Sequence, residues 1–335
     1  MVNMVALLWA TCLLFSQVLT LKQQDYLTRA YRNKELPATQ GRPTNKDHSK
    51  PWETSLRLPR HITPSHYSVL LHPDFETELF SGKVEIDISV TRTSQHVILH
   101  TKDHNITETK IKTKDGKELN IINAFEFPKY EFWVIQPEEP LQWGLYTVSL
   151  TFTGSLGSGN ILHGFYKSVY TNKKGEQVSI ATSDFEPSDA RKAYPCFDEP
   201  SFKAPFSVTL VRPTIGYIAL SNMPVKEEVP NTPAAGLTTV KFDKSVPMPT
   251  YLSCFIVCDF DFGEQFTSDE KTRVRVYAAK DQKHRVQYAL GAGANMTEYF
   301  ETYFGIPFPL AKQDMIAIPD FQAGAMENWG LITYR

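Results

Sequence analysis

Apolar and polar positions alternate over much of the chain between residues 52 and 260. Val84, Ile86, Ile88 and Val90 are separated by polar residues, and Tyr146, Val148, Leu150 and Phe152 repeat the pattern. A period of two places one face of a strand in a core and the other in water. Shorter runs add further strands: HYSVLL, HVILH, EFWVI, FSVTLV, YIALS and TTVKF. Asp115-Gly116, Gly154 and Gly157 to Gly159 punctuate them as turns. Strands that follow one another without helices predict antiparallel sheets in a sandwich- or saddle-like domain.

The period changes near residue 281. Asp281 is placed as an N-cap. Val286, Ala289, Leu290, Gly293, Met296, Phe300, Tyr303 and Phe304 then recur at helical spacings, and Gly305 and Pro307 close the helix. Gly291 and Gly293 weaken such a helix, which predicts close packing against a neighbour. The apolar strand DMIAIPDF, a tight loop and the strand GLITYR follow. The chain therefore divides into a β-rich unit over 52–260 and a mixed unit over 261–335.

The N-terminal end reads differently. Val5 to Leu21 carries no charge, and residues 22–51 are polar and aperiodic. Residues 1–21 suit a cleaved signal peptide or a signal anchor. Lys22, Arg29, Arg32 and Lys34 disfavour an anchor with its C-terminal side outside, so the cleaved signal is preferred over a membrane anchor, and a cytosolic chain comes last. The sequons at Asn105 and Asn295 agree with glycosylation in the secretory pathway, in the endoplasmic reticulum lumen or outside the cell.

Composition removes some classes of function. With 35 basic and 37 acidic residues the net charge is -2, which gives no reason to expect nucleic acid as a partner. Cys254 and Cys258 lie on one strand, roughly 13 Å apart, too far for a disulfide, and read as buried thiols. His96, His100 and His104 are spaced by four, but HVILH is β-like. They read as surface histidines on a strand and its turn rather than as metal ligands. HExxH, CxxC, GxSxG and a phosphate-cradling glycine loop do not occur.

Two segments hold the candidate chemistry. TSDFEPSDARKAYPCFDEP (182–200) crowds Asp184, Glu186, Asp189, Asp198 and Glu199 around Arg191 and Lys192, among Phe185, Tyr194 and Phe197. DFQAGAMENWG (320–330) holds one carboxylate, Glu327, between two glycines and Trp329. Each alone reads as well as a structural loop. Asp198 and Glu199 are assigned a structural role, held through Arg191 or backbone amides.

GAMENWG at 324–330 resembles the exopeptidase motif of the zinc aminopeptidases related to aminopeptidase N, and YPCFDEP at 194–200 resembles their N-terminal domain. HGFYKS, ALSNMP and IPDFQAGAMENWGLITYR resemble the oxytocinase subgroup, which includes the endoplasmic-reticulum aminopeptidases. The resemblance implies a β-rich domain followed by the start of a thermolysin-like α/β catalytic domain. It implies that Glu327 and Glu186 hold the free ammonium of a peptide substrate. Gly324, Ala325, Met326 and Asn328 would complete the substrate site, Met326 lining the pocket for the first side chain. GLITYR would be an edge strand that pairs with extended peptide. Asp184 stands where many relatives have Gln, and an anion there favours Arg or Lys as the first residue. Zinc is the implied cofactor. Its HExxH ligands would lie beyond Arg335, so that this chain alone would be inactive. Three readings stay open: part of a zinc aminopeptidase, a short non-catalytic product, and an unrelated extracellular β-sandwich binding protein. The short product would bind peptide or pair, as a homodimer or heterodimer, with a full-length relative.

Overall fold

The computed structural model describes residues 50–157 and 162–335. The expectations for residues 1–21, and those for 22–51 up to residue 49, fall outside the described residues, as do Ser158 and Gly159 of the expected turn. A one-turn helix, α1 (Pro51–Thr54), opens the described part and buries Trp52. The strands that follow are β1 (Ile62–Asp74), β2 (Leu79–Val90), β3 (Val97–His100), β4 (His104–Thr113), β5 (Glu118–Leu119), β6 (Ile121–Phe127), β7 (Phe132–Pro137) and β8 (Gly144–Ser155). Next come β9 (Gly164–Thr171), β10 (Gln177–Asp184), β11 (Phe206–Pro213), β12 (Ile218–Ser221), β13 (Val225–Pro230), β14 (Leu237–Phe242) and β15 (Phe255–Cys258). The last part holds β16 (Asp261–Phe266), β17 (Arg273–Ala278), α2 (Gln287–Phe304), β18 (Lys312–Ala317), β19 (Ala325–Met326) and β20 (Leu331–Tyr334).

The protein is mainly β. Its largest sheet runs β13-β14-β11-β1-β2-β8-β4-β5, antiparallel except where β1 pairs with β11 in parallel. Val84, Ile86, Ile88 and Val90 of β2 and Val148, Leu150 and Phe152 of β8 are fully buried, as their alternation predicts. Each such side chain contributes roughly 1.5–3 kcal/mol on leaving water. Smaller sheets follow the orders β3-β7-β6 and β12-β15-β10-β9.

The last sheet, β16-β17-β18-β20-β19, has a different logic. Strands β17, β18 and β20 are parallel, and α2 makes the crossover between β17 and β18. A parallel connection needs such a crossover, which explains the switch to helical periodicity in the sequence. Val286, Leu290 and Ala294 seat α2 on Val274, Val276 and Met315. The main core does not stop at the junction of the two units. One cluster joins the first three sheets to Leu310, Ile316, Ile318, Phe321, Met326, Trp329 and Leu331.

Several expectations need correcting. Asp281 lies in a 3-10 helix, Lys280–Arg285, and α2 begins only at Gln287 with Val286 as its cap. Tyr303 leaves the apolar stripe and is exposed. A Cβ on Gly293 would meet Met315 Cε at 2.3 Å, so this glycine does allow close packing, whereas Gly291 has open space beside it. Gly154 is inside β8, not in a turn, with Phe80 against it. His100 is not on the surface: it is buried against Phe132, and its Nδ1 accepts the Asp198 N–H at 3.3 Å. His104 packs on Phe152 and pairs through Nδ1 with the Thr101 hydroxyl at 3.0 Å. Cys196, Cys254 and Cys258 are buried free thiols.

Candidate functional site

The first wall of the site is the end of β10. Its register with β9 sets Asp184 opposite Gly164 and Ser183 opposite Phe165. The buried Ser183 hydroxyl accepts the Phe255 N–H at 2.9 Å, fixing β10 to the start of β15. Phe185 then turns inward, fully buried against Phe255 and Tyr194. With Phe185 anchored, Glu186 is left exposed at the rim.

The second wall is the loop from β19 to β20. Ala325 and Met326 pair with Tyr334 and Thr333, and the Leu331 N–H closes the turn on the Asn328 carbonyl at 3.1 Å. Asn328 is buried and donates to the Thr333 hydroxyl at 3.3 Å. Gly330 has φ 73°, and a Cβ there would meet the Asn222 carbonyl oxygen at 2.3 Å. The last glycine of the motif thus serves both a left-handed turn and a close backbone approach. Glu327, between these fixed points, is half-buried.

The two glutamates lie within electrostatic reach of each other. Burial, then the Glu186 charge, raises the Glu327 carboxyl above its ordinary value. Tyr251 lies within the field of both. Its hydroxyl is raised by burial, then by Glu327 and Glu186. Asp184 is buried, and burial pushes its carboxyl up to about 6; His163 opposes that shift, while Glu186 and Asp189 add to it. Among the described residues none of Asp184, Glu186 and Glu327 is in an ion pair. Among the described residues no Lys or Arg is paired with these three carboxyls.

Other assignments are placed differently. Met326 is 2% exposed and sits in the main core. Strand β20 is not at an edge, because β19 lies outside it; the sheet edge is Ala325–Met326. Gly324 is exposed, with open space where a Cβ would be. Asp198 and Glu199 point away from the glutamates into their own network. Asp198 pairs with Arg191 at 2.9 Å and accepts the Thr250 hydroxyl at 2.6 Å, and Glu199 accepts the Leu58 N–H at 2.8 Å. Tyr251 was missed in the sequence because a tyrosine in MPTYLS carries no local signal. Asn105 and Asn295 are both exposed.

A mainly β unit leads into a parallel αβ sheet, and an acidic site lies where the two meet. The peptidase M1 N-terminal domain family matches residues 63–252 and the peptidase family M1 domain matches 288–335. The chain belongs to the peptidase M1 family. It is 41% identical over 302 residues to endoplasmic reticulum aminopeptidase 1 of Homo sapiens, covering 89% of this chain and 31% of that protein. It is 42% identical over 298 residues to glutamyl aminopeptidase of Sus scrofa, covering 88% of this chain and 31% of that protein. With endoplasmic reticulum aminopeptidase 2 of Homo sapiens it shares 42% over 293 residues, covering 85% and 30%. The chain spans about a third of the length of the curated relatives it matches.

Proposed function

We propose that the chain supplies the substrate-amine recognition part of a zinc metallo-aminopeptidase that removes N-terminal residues from peptides. The observation that carries this reading is that Glu186 and Glu327, from separate segments, lie within each other's electrostatic reach and that neither is in an ion pair among the described residues. An ammonium is held well by converging carboxylates with little competing water. The aminopeptidase names of the relatives support the same reading. Glu327 is the inner anchor and Glu186 the outer one. Tyr251 walls the site between them. The open edge at Ala325–Met326, with Gly324 before it, offers main-chain groups to an extended peptide. Met326 and Asn328 hold that edge from within. Asp184 faces the first side chain and favours Arg or Lys.

The described residues do not themselves suit zinc. Among them no group of three or more His, Cys, Asp or Glu is arranged to hold a metal ion. This part of the enzyme binds and orients. The relatives named for the endoplasmic reticulum, with the exposed sequons, support a secretory-pathway location. No described helix is long and apolar enough to cross a membrane.

The test is binding to the 335-residue chain. Arginine amide is expected to move the carboxyl NMR resonances of Glu186 and Glu327, and N-acetylarginine amide to leave them in place. Equal responses to both ligands, or none to either, would overturn the proposal.

A further inference from the structure

A buried polar knot lies behind the Glu327 loop. Lys312 is 2% exposed. Its ammonium donates to the Ser221 carbonyl at 2.7 Å and to the Gly330 carbonyl at 2.7 Å, and pairs with Asp314 at 2.8 Å. Asn222, also 2% exposed, uses its whole amide group. Its Nδ2 donates to the Leu252 carbonyl at 2.7 Å and the Trp329 carbonyl at 2.8 Å, while its Oδ1 accepts the Cys254 N–H at 2.9 Å.

Four of the six contacts touch a segment of the site. Trp329 and Gly330 lie two and three residues after Glu327, Leu252 follows Tyr251, and Cys254 precedes the Phe255 whose N–H is held by Ser183 of β10. Ser221 and Asn222 belong to the β-rich unit, and Lys312 and Gly330 to the parallel sheet. Buried polar groups are costly unless paired, and here two side chains make six polar contacts, two of which, Lys312 to the Ser221 carbonyl and Asn222 to the Trp329 carbonyl, cross the junction. A junction of apolar contacts alone tolerates small slides. Directional bonds to three separate backbones do not, because a shift of one ångström breaks them.

We infer that Asn222 and Lys312 are positioning residues that set Glu327 in place beside Glu186. They touch neither carboxylate and act through the backbone at Trp329 and Gly330. The inference deepens the amine-site reading. It needs no ligand, so it is read independently of that reading.

The test uses the 335-residue chain and NMR titration of the Glu327 carboxyl, on which Glu186 is the charge that acts. In the native sequence Glu186→Gln is expected to lower the Glu327 midpoint. In the Asn222→Ala background the midpoint is expected to fall towards the ordinary glutamate value, with loss of the response to Glu186→Gln. Ser245→Ala is the control. It removes the buried acceptor of the Phe206 N–H at the start of β11, a strand of the largest sheet, and should leave the Glu327 midpoint unchanged. Lys312→Met should act as Asn222→Ala does but leaves Asp314 buried and unpaired, so Asn222→Ala decides if it fails to fold. A folded Asn222→Ala chain whose Glu327 keeps both its midpoint and its response to Glu186→Gln overturns the inference. So does a Ser245→Ala chain that loses them equally. If arginine amide fails to bind while these titrations behave as expected, the amine site is wrong and the positioning role stands.

Discussion

The segment 182–200 carries two sets of carboxylates with opposite fates. Asp198 and Glu199 are buried and fully partnered. Arg191 reaches Asp198 through Nε and Glu131 through Nη1, each at 2.9 Å. Asp198 also accepts the Thr250 hydroxyl, and Glu199 accepts the Leu58 N–H and pairs with Arg57 at 3.7 Å. Asp184 and Glu186, a few residues earlier, have no ion pair among the described residues, and Glu327 joins them from across the junction. The same residue type thus builds a latch in one place and, among the described residues, is left without an ion pair in the other. Where the chain supplies a cation the carboxylate is structural, and the proposed amine site draws on carboxylates left without one.

Breaking the latch should have the largest effect. Arg191→Met leaves Asp198 buried and unpaired, and should cost about 3–5 kcal/mol of stability. Urea denaturation of the folded chain measures it. A loss under 1 kcal/mol would make the latch an ordinary surface pair.

Asp184 should behave in the opposite sense. Its folded value of about 6 lies above the ordinary carboxylate value of 3.8, so the native state binds more protons over that interval. Stability from this group is present below 3.8 and is lost as pH rises through 6. Asp184→Asn should therefore stabilise the chain at pH 7, by up to about 3 kcal/mol, and change little at pH 3. A stability difference that does not vary with pH would place Asp184 in solvent. His100 has the reverse sign. Burial, then Arg191 and Arg57, lowers its imidazole to about 2, so its contribution is complete above 6.5 and fades as pH falls.

How much of this was legible follows from where each signal lives. Strands β2 and β8 were readable because one face meets the core and the other water, which writes itself as alternation. The roles of Glu186 and Glu327 came only through resemblance, since a carboxylate does not announce whether a cation will find it. His100 was misread as exposed because the groups that satisfy it, Asp198 N–H and the Phe132 ring, are remote in sequence. Lys312 in KQDMIA looks like the polar phase of a strand, and only the fold shows its ammonium enclosed by two carbonyls and Asp314. The edge of the last sheet was assigned to GLITYR because β19, only two residues long, leaves no periodicity to read.

Ligand binding sharpens the comparison on a smaller scale. Glu327→Gln should weaken arginine amide by about 1.5–3 kcal/mol, the range for a hydrogen bond to a charged group. Glu186→Gln should weaken it less, because Glu186 is exposed and its charge is screened. Both are measured by the same NMR titration. If Glu186 proves the stronger anchor, the order of inner and outer carboxylate is reversed.

The smallest effect concerns selectivity, and it depends on separating two charges. Arginine amide and leucine amide share the α-ammonium, so the grip of Glu186 and Glu327 on it cancels in the ratio of their affinities. What remains is the field at the first side chain. Asp184, with its carboxyl at about 6, is ionised at pH 7.5 and largely protonated at pH 5. The ratio should therefore fall with pH, by about fivefold for a contact worth about 1 kcal/mol. Glu186 and Asp189 press on Asp184 from the same side, and His163 opposes them. The pH change alone does not identify the group. Asp184→Asn does: with Asp184 responsible, the ratio becomes low and independent of pH. A ratio that still falls in that variant would remove Asp184 as its source, and Asp184 would join Asp198 on the structural side of the comparison.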